Sequence, residues 1–271
     1  MDTEITNLLT VDVEDWQQST LDPSLPISER ALCNTRRMLD ILSACGAQGT
    51  FFIQTLVAEK YPELVGEIAR GGHEIATHGH GHIPLFKLTP DAFAADLQLS
   101  LKILKSLSPH PIRGYRAPDF SIRKDTLWAW EILKDQGLRY SSSIYPIRGR
   151  RYGFPGFKEQ PHEVGKGLWE IPLSTIRLAG RNWPVAGGGY FRIFPLWFTR
   201  WAIRRLNREG RPAVVYLHPY ELDAREIRQF RRRIPSLLYL TQSLNRSRTE
   251  AKIRTLLREF KFRPIQETIS P

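Results

Sequence analysis

The stretch "HGHGH" at residues 78–82 concentrates three of the seven histidines of the chain. The x-x-x spacing of His78 and His82 lets two imidazoles reach one ion. On a helix the pair would suggest a zinc-hydrolase motif, but the glutamate expected after the first histidine is Gly79, and two glycines disfavour a helix. A loop just after a strand is the better reading, with His80 pointing elsewhere. Two imidazoles and one carboxylate make a catalytic zinc set that leaves a position open for substrate. The carboxylates stand in "TVDVED". Asp12 and Glu14 share one face of an extended strand, and Asp15 begins the following turn. One acid binds the metal, with Glu14 and Asp15 both candidates, while Asp12 serves as base.

Arg116, in "YRAPDF", supplies the charge that three clustered acids need. A guanidinium forked onto a carboxylate would orient it. Pro118 stiffens the next turn and presents the backbone N–H of Asp119 to a developing oxyanion. His218, in "VVYLHPYE", ends the most apolar strand of the C-terminal half, and an imidazole there suits a general acid. Taken singly, each has a plainer reading: a polar loop, an acidic turn, a surface arginine, a structural histidine. Taken together they describe metal-assisted hydrolysis of an amide around one divalent ion.

These residues need a scaffold that brings strand ends together. "NLLTVDV", "GTFFI", "HEIATH", "PIRGYR", "RYSSSIY" and "AVVYLH" read as strands. Helices fall between them: one after Ser28, one opened by Pro62, one from Thr89-Pro90, one over 124–136, one around 195–208, and a basic C-terminal helix capped by Thr249. Such alternation predicts a largely parallel sheet or an α/β barrel, in one domain spanning 1–271 with a basic extension from about 225 to 271. Asp12, His78, Arg116 and His218 each end a predicted strand, the edge at which α/β barrels carry their active sites.

At 271 residues and 41% hydrophobic, the chain can bury a large core, which excludes a disordered protein. The acidic N-terminus does not fit a signal peptide, no apolar run reaches membrane-spanning length, and Cys33 and Cys45 are too few for a disulfide framework. A cytoplasmic protein is the expectation. Of the net charge of +11, nearly all lies in residues 200–271, which hold 17 basic and 7 acidic residues. That tail suits an acidic glycan, a lipid phosphate or an anionic membrane surface, and nucleic acid less well.

In order along the chain, "TVDVED", the His78/His82 pair, Arg116 with Pro118, and "YLH" resemble the motifs of the NodB-homology polysaccharide deacetylases. Gly79 replaces the usual Ser or Thr of the histidine motif. D-x-E-D is similar to the subgroup holding the allantoinase-like and Helicobacter-type peptidoglycan deacetylases, and by that alignment Asp12 is the base and Glu14 the metal acid, with Asp15 its competitor. "GLWEIPLST", "AGGGYFR" and "YLHPYE" are similar to deacetylases of exopolysaccharide and exosortase loci. The resemblance implies a distorted (β/α) barrel of about seven parallel strands. It further implies a divalent metal, most often zinc, and removal of acetyl from N-acetylhexosamines of a bacterial polysaccharide or a lipid-linked glycan precursor. Trp169, Tyr190 and Phe191 would then offer faces for sugar stacking. The alternatives are a hydrolase of a small cyclic amide or imide and a non-catalytic glycan-binding protein.

Overall fold

The computed structural model describes residues 5–149, 152–185 and 187–268. Met1 and Ala186, the first residue of "AGGGYFR", lie outside the described residues, as do the last residues of the basic extension.

Strand β1 (Asn7–Val13) is buried throughout, and its alternation sets the two layers of the molecule. Leu9, Val11 and Val13 join the larger core, shared with the helices. Leu8 faces a second, smaller core inside the curled sheet, and Thr10 and Asp12 follow it on that face by the period of two. After α1 (Glu29–Ala44) come β2 (Thr50–Ile53), α2 (Thr55–Lys60), α3 (Pro62–Arg70), β3 (Glu74–Thr77), α4 (Pro90–Leu107), β4 (Gly114–Tyr115), α5 (Ala129–Asp135) and β5 (Tyr140–Ser141). The middle section then forms β6 (His162–Gly165), β7 (Leu168–Glu170) and a separate hairpin of β8 (Thr175–Leu178) and β9 (Arg181–Pro184). The chain closes with α6 (Gly188–Ile193), α7 (Leu196–Arg208), β10 (Val214–Leu217), α8 (Ala224–Gln229), α9 (Ser236–Ser243), α10 (Arg246–Glu259) and β11 (Phe262–Arg263).

The sheet order is β10-β1-β2-β3-β4-β5-β7-β6, parallel as far as β7, with β6 antiparallel at the edge and β11 alongside the start of β1. Seven consecutive parallel strands thus curl into an α/β half-barrel, the expected architecture. Two strands are much shorter than the sequence suggests. β4 and β5 hold only two residues each, although Arg116 N–H still donates to the Thr77 carbonyl and Ser142 N–H to the Tyr115 carbonyl just beyond them. The C-terminal helix also begins earlier than expected. Asn245, not Thr249, occupies its cap, and Thr249 bonds back to the Asn245 carbonyl from inside the first turn.

The open side of the barrel is narrowed by a glycine contact. Gly187 bridges to Tyr216 of β10, and a Cβ there would sit 1.9 Å from the tyrosine ring. Only glycine lets this backbone lie on that ring. At the opposite end the C-terminal turn plugs the barrel: Ile265 N–H donates to Thr50 Oγ1 at 2.8 Å and Gln266 N–H to Glu74 Oε2 at 3.0 Å.

His73, just before β3, is buried, and its Nδ1 accepts the Gly49 N–H at 3.3 Å. Burial pushes its pKa down to about 4. The unfolded chain therefore binds a proton that the native chain does not between about pH 6.5 and pH 4, so this contribution is complete above 6.5 and is lost as pH falls. We expect urea unfolding to report up to about 3 kcal/mol less stability near pH 4 than near pH 7 from this one group. His73→Gln should flatten that slope; an unchanged slope would assign it elsewhere.

Candidate active site

The C-terminal ends of β1, β3, β4 and β10 meet at one cavity of about 190 Å³. Asp12, Glu14, His78, His82, Asp119 and His218 all line it, together with Arg192, Tyr216, Tyr220 and Glu221.

Glu14, His78 and His82 form the one group among the described residues whose donor atoms could hold a metal ion, all within 4.8 Å of one another. His82 Nε2 contacts Glu14 Oε2, and His78 Nε2 lies 3.7 Å from the same oxygen. The donor chemistry fits a divalent ion. His78 Nδ1 lies 2.8 Å from the Arg116 carbonyl, which can only accept, so Nδ1 carries the hydrogen and Nε2 keeps its lone pair toward Glu14. Burial alone would raise the Glu14 pKa, but His82, His78 and His218 hold it well below the usual carboxylate range.

The histidine loop is shaped by two backbone positions in the left-handed region. Gly79 has φ 75° and His82 φ 54°. Asp96 of α4 clamps the loop between them, accepting the N–H of His80 at 2.9 Å and of Gly81 at 3.1 Å. A Cβ on Gly79 would meet the Asp96 carboxylate at 3.0 Å in a backbone conformation that side chains disfavour. This accounts for glycine at that position. His80 turns away to Thr55 Oγ1 at 3.0 Å.

The structure separates the two candidate metal acids. Asp15 does not line the cavity; its carboxylate accepts the N–H of Gln17 at 2.8 Å and contacts the N–H of Ser28, tying the turn to the start of α1. Arg116 is fully buried and reaches Asp12 Oδ1 from Nη1 at 2.7 Å. It does not fork onto the carboxylate as the sequence suggested. Its remaining donors go to Thr10 Oγ1 at 2.8 Å, the Ser142 carbonyl at 2.9 Å and Ser142 Oγ at 2.8 Å. The guanidinium also lies 4.1 Å from the centre of the Phe52 ring.

His218 Nε2 faces Asp12 Oδ2 at 3.9 Å and Glu14 Oε1 at 3.7 Å, while Nδ1 lies 3.3 Å from Glu221 Oε2. Burial disfavours its charge, but Glu221, Glu14 and Asp12 outweigh it and raise the pKa to about 9. Glu221 is in turn held by Arg192 Nε at 2.6 Å. Burial opposes its charge as well, yet His218 and Arg192 bring its pKa to about 2. Neither Arg192 nor Glu221 was singled out from the sequence, although Glu221 stands three residues after His218 in "HPYE".

The expected aromatic platforms distribute differently. Trp169 does not line the cavity; its register partner is Tyr140, on a strand whose C-terminal end lies toward the site, so it sits further from that end. Phe191 is buried in the larger core, held there by the inner side of α6. Tyr190 does not line the cavity but borders Tyr152, which does, with the two hydroxyls 3.4 Å apart. Asp119 lines the cavity with φ 56°, followed by Phe120 at φ 48°, a tight turn after Arg116.

Residues 20–141 match the family model described as polysaccharide deacetylase, and residues 142–270 match the one described as domain of unknown function DUF3473. A peptidoglycan-N-acetylglucosamine deacetylase of Bacillus cereus is 33% identical over 98 residues, covering 36% of each chain. The chain therefore spans about a third of the length of that relative. A candidate polysaccharide deacetylase from Mycobacterium smegmatis superposes with a TM-score of 0.58 at 20% identity, over 97% of both chains. The Puue allantoinase superposes with a TM-score of 0.57 at 15% identity, over 96% of this chain and 87% of its own. These two superpositions share the fold.

Removing the Glu14 charge should cost at least about tenfold in zinc or cobalt affinity, the scale of a lost ligand-shell contact. Titration of metal-stripped Glu14→Gln against Asp15→Asn checks this. Asp15→Asn should keep its metal affinity and lose thermal stability instead. Equal losses of metal affinity would return Asp15 to the ligand set.

Proposed function

We propose, from the match of residues 20–141 to the polysaccharide deacetylase model, that the chain is a deacetylase of that family, a metal-dependent hydrolase removing N-acetyl groups from N-acetylhexosamine units of a bacterial polysaccharide or its precursor. The observation that carries this reading is the convergence, at one small cavity, of an acid pair, two histidines and a third histidine with its own carboxylate.

Glu14, His78 and His82 would hold one divalent ion, zinc by the nature of its donors. Such an ion supplies Lewis acidity toward the acetyl oxygen and acidifies water at neutral pH. Asp12, fixed by Arg116, takes the proton of the attacking water. The backbone N–H of Asp119 is the candidate second donor to the oxyanion. His218, opposite Asp12 and aligned by Glu221, delivers a proton to the leaving sugar nitrogen. Arg192 holds Glu221 and acts through it.

The two matched segments work as one catalytic unit in this reading. The sheet runs through both, and residues 142–270 contribute the acid side of the site, His218, Glu221 and Arg192. Cys33 and Cys45 carry free thiols, which suits action in a reducing compartment on a precursor rather than on mature cell wall.

The size of the cavity favours a second reading. About 190 Å³ is below the ordinary range of ligand pockets, roughly 300–1,000 Å³, and would suit a small cyclic amide or imide. Incubation with N-acetylated oligosaccharides and with cyclic ureides separates the two. We expect acetate from the former, lowered about 10²–10⁴-fold by Asp12→Asn with metal retained. Ring opening without acetate release would replace the deacetylase by the small-amide hydrolase.

A further inference from the structure

Helix α9 carries an apolar stripe that the fold does not cover. Its inner side packs Leu238 and Tyr239 against the small cluster of Trp16, Ile227 and Ile234. The opposite side presents Leu237, 72% exposed, and Leu240, 59% exposed, at helical spacing, and Leu244, 41% exposed, follows just past the end of the helix. No residue of α9 is fully buried. Next to its C-terminal end, Arg192 donates to the carbonyls of Thr241, Gln242 and Leu244, and the residues that follow Arg192 include Ile193 and the 66% exposed Trp197.

The approach to this helix is strongly basic. Arg225, Arg228, Arg231, Arg232 and Arg233 are concentrated within nine residues, against one buried acid, Glu226. None of the five forms an ion pair with a carboxylate among the described residues; Arg231 rests 5.8 Å from the centre of the Tyr239 ring. Arg36 and Arg37, by contrast, are neutralised by Glu67 and Glu250. The unpaired run therefore leaves its charge available to an external anion.

Gln242, on the same helix, lines the catalytic cavity, as do Arg192 and Gly189 of α6. The uncovered stripe is thus the outer side of the cavity wall. We propose that α9 and the arginine run before it form a docking surface for an anionic lipid bilayer, which sets the cavity beside the headgroup layer. Side chains as far exposed as Leu237 and Trp197 offer a folded partner no groove, but they can enter a fluid acyl region. Arginines beside them pair with lipid phosphates, a combination of apolar insertion and charge that interfacial helices share. No helix among the described residues is long and apolar enough to cross a membrane, so the surface would be peripheral and reversible. The proposal deepens the deacetylase reading by giving it a substrate held at a membrane, yet its binding step is independent of catalysis.

Flotation of the full chain with vesicles of phosphatidylcholine, with and without about 30% phosphatidylglycerol, tests it. We expect flotation with the anionic vesicles in 0.1 M NaCl and its loss in 0.5 M, where screening is stronger. Arg232→Glu/Arg233→Glu should lower the bound fraction at least tenfold. So should Leu237→Ser/Leu240→Ser, which leaves the charge unchanged. Circular dichroism and acetate release from soluble oligosaccharides should match the wild type for both variants, because neither pair lines the cavity. Failure of the wild type to float, equal flotation with neutral vesicles, or variants that float as well as wild type would overturn the docking surface. A dimer in sedimentation that the leucine substitutions dissolve would replace it with a protein interface. Flotation without acetate release from any substrate would keep the surface and remove the deacetylase reading instead.

Discussion

Arg116 places a permanent positive charge in the interior of the barrel with no exposed surface. A buried guanidinium is tolerable only where every donor is matched, and removing one partner of such a pair costs roughly 3–5 kcal/mol. Its partners come from different strands and the loops after them: Asp12 and Thr10 from β1, Ser142 from just beyond β5. The carbonyl of Arg116 itself fixes the ring of His78. One residue therefore satisfies its own burial while setting the orientation of Asp12 and the tautomer of His78.

Around that pair the charges are arranged in alternation. Arg192 faces Glu221, Glu221 faces His218, and His218 faces Asp12 and Glu14. Each charge is flanked by its opposite, which is how so many ionisable groups can be buried together at modest net cost. The chain of contacts runs from a helix of the C-terminal half to the first strand. A change at Arg192, itself part of the cavity lining, would also act on His218 through Glu221.

The strand ends were legible in the sequence because a polar residue closing an apolar run is visible locally. Asp12, His78, Arg116 and His218 could be grouped by that rule alone, and the structure brings them to one place. The choice between Glu14 and Asp15 was not legible. It turns on whether the chain bends after residue 14, and on a return to Ser28 that places Asp15 at the start of a helix thirteen residues later. Asp96 and Arg192 were invisible for a related reason: their partners are backbone groups and side chains far along the chain, and neither residue type carries a local signal. The aromatic assignments fared worst. In the irregular segment no periodicity states which way Trp169 or Phe191 points, and the register and the core decide it.

The same reasoning explains why α9 is informative. Its leucines follow the helical period as well as those of any buried helix, so the sequence alone would place them in a core. Their exposure shows that the helix satisfies its packing with Leu238 and Tyr239 alone and leaves the stripe over. An apolar surface this exposed is unfavourable in water unless something covers it during the working life of the protein. The five arginines preceding it stand within nine residues with one acid among them, and none has, among the described residues, the carboxylate partner that Arg36 and Arg37 have. Charge and apolar surface left uncompensated at one place, on the wall of the cavity, are more economically explained by one shared neighbour than by two separate accidents.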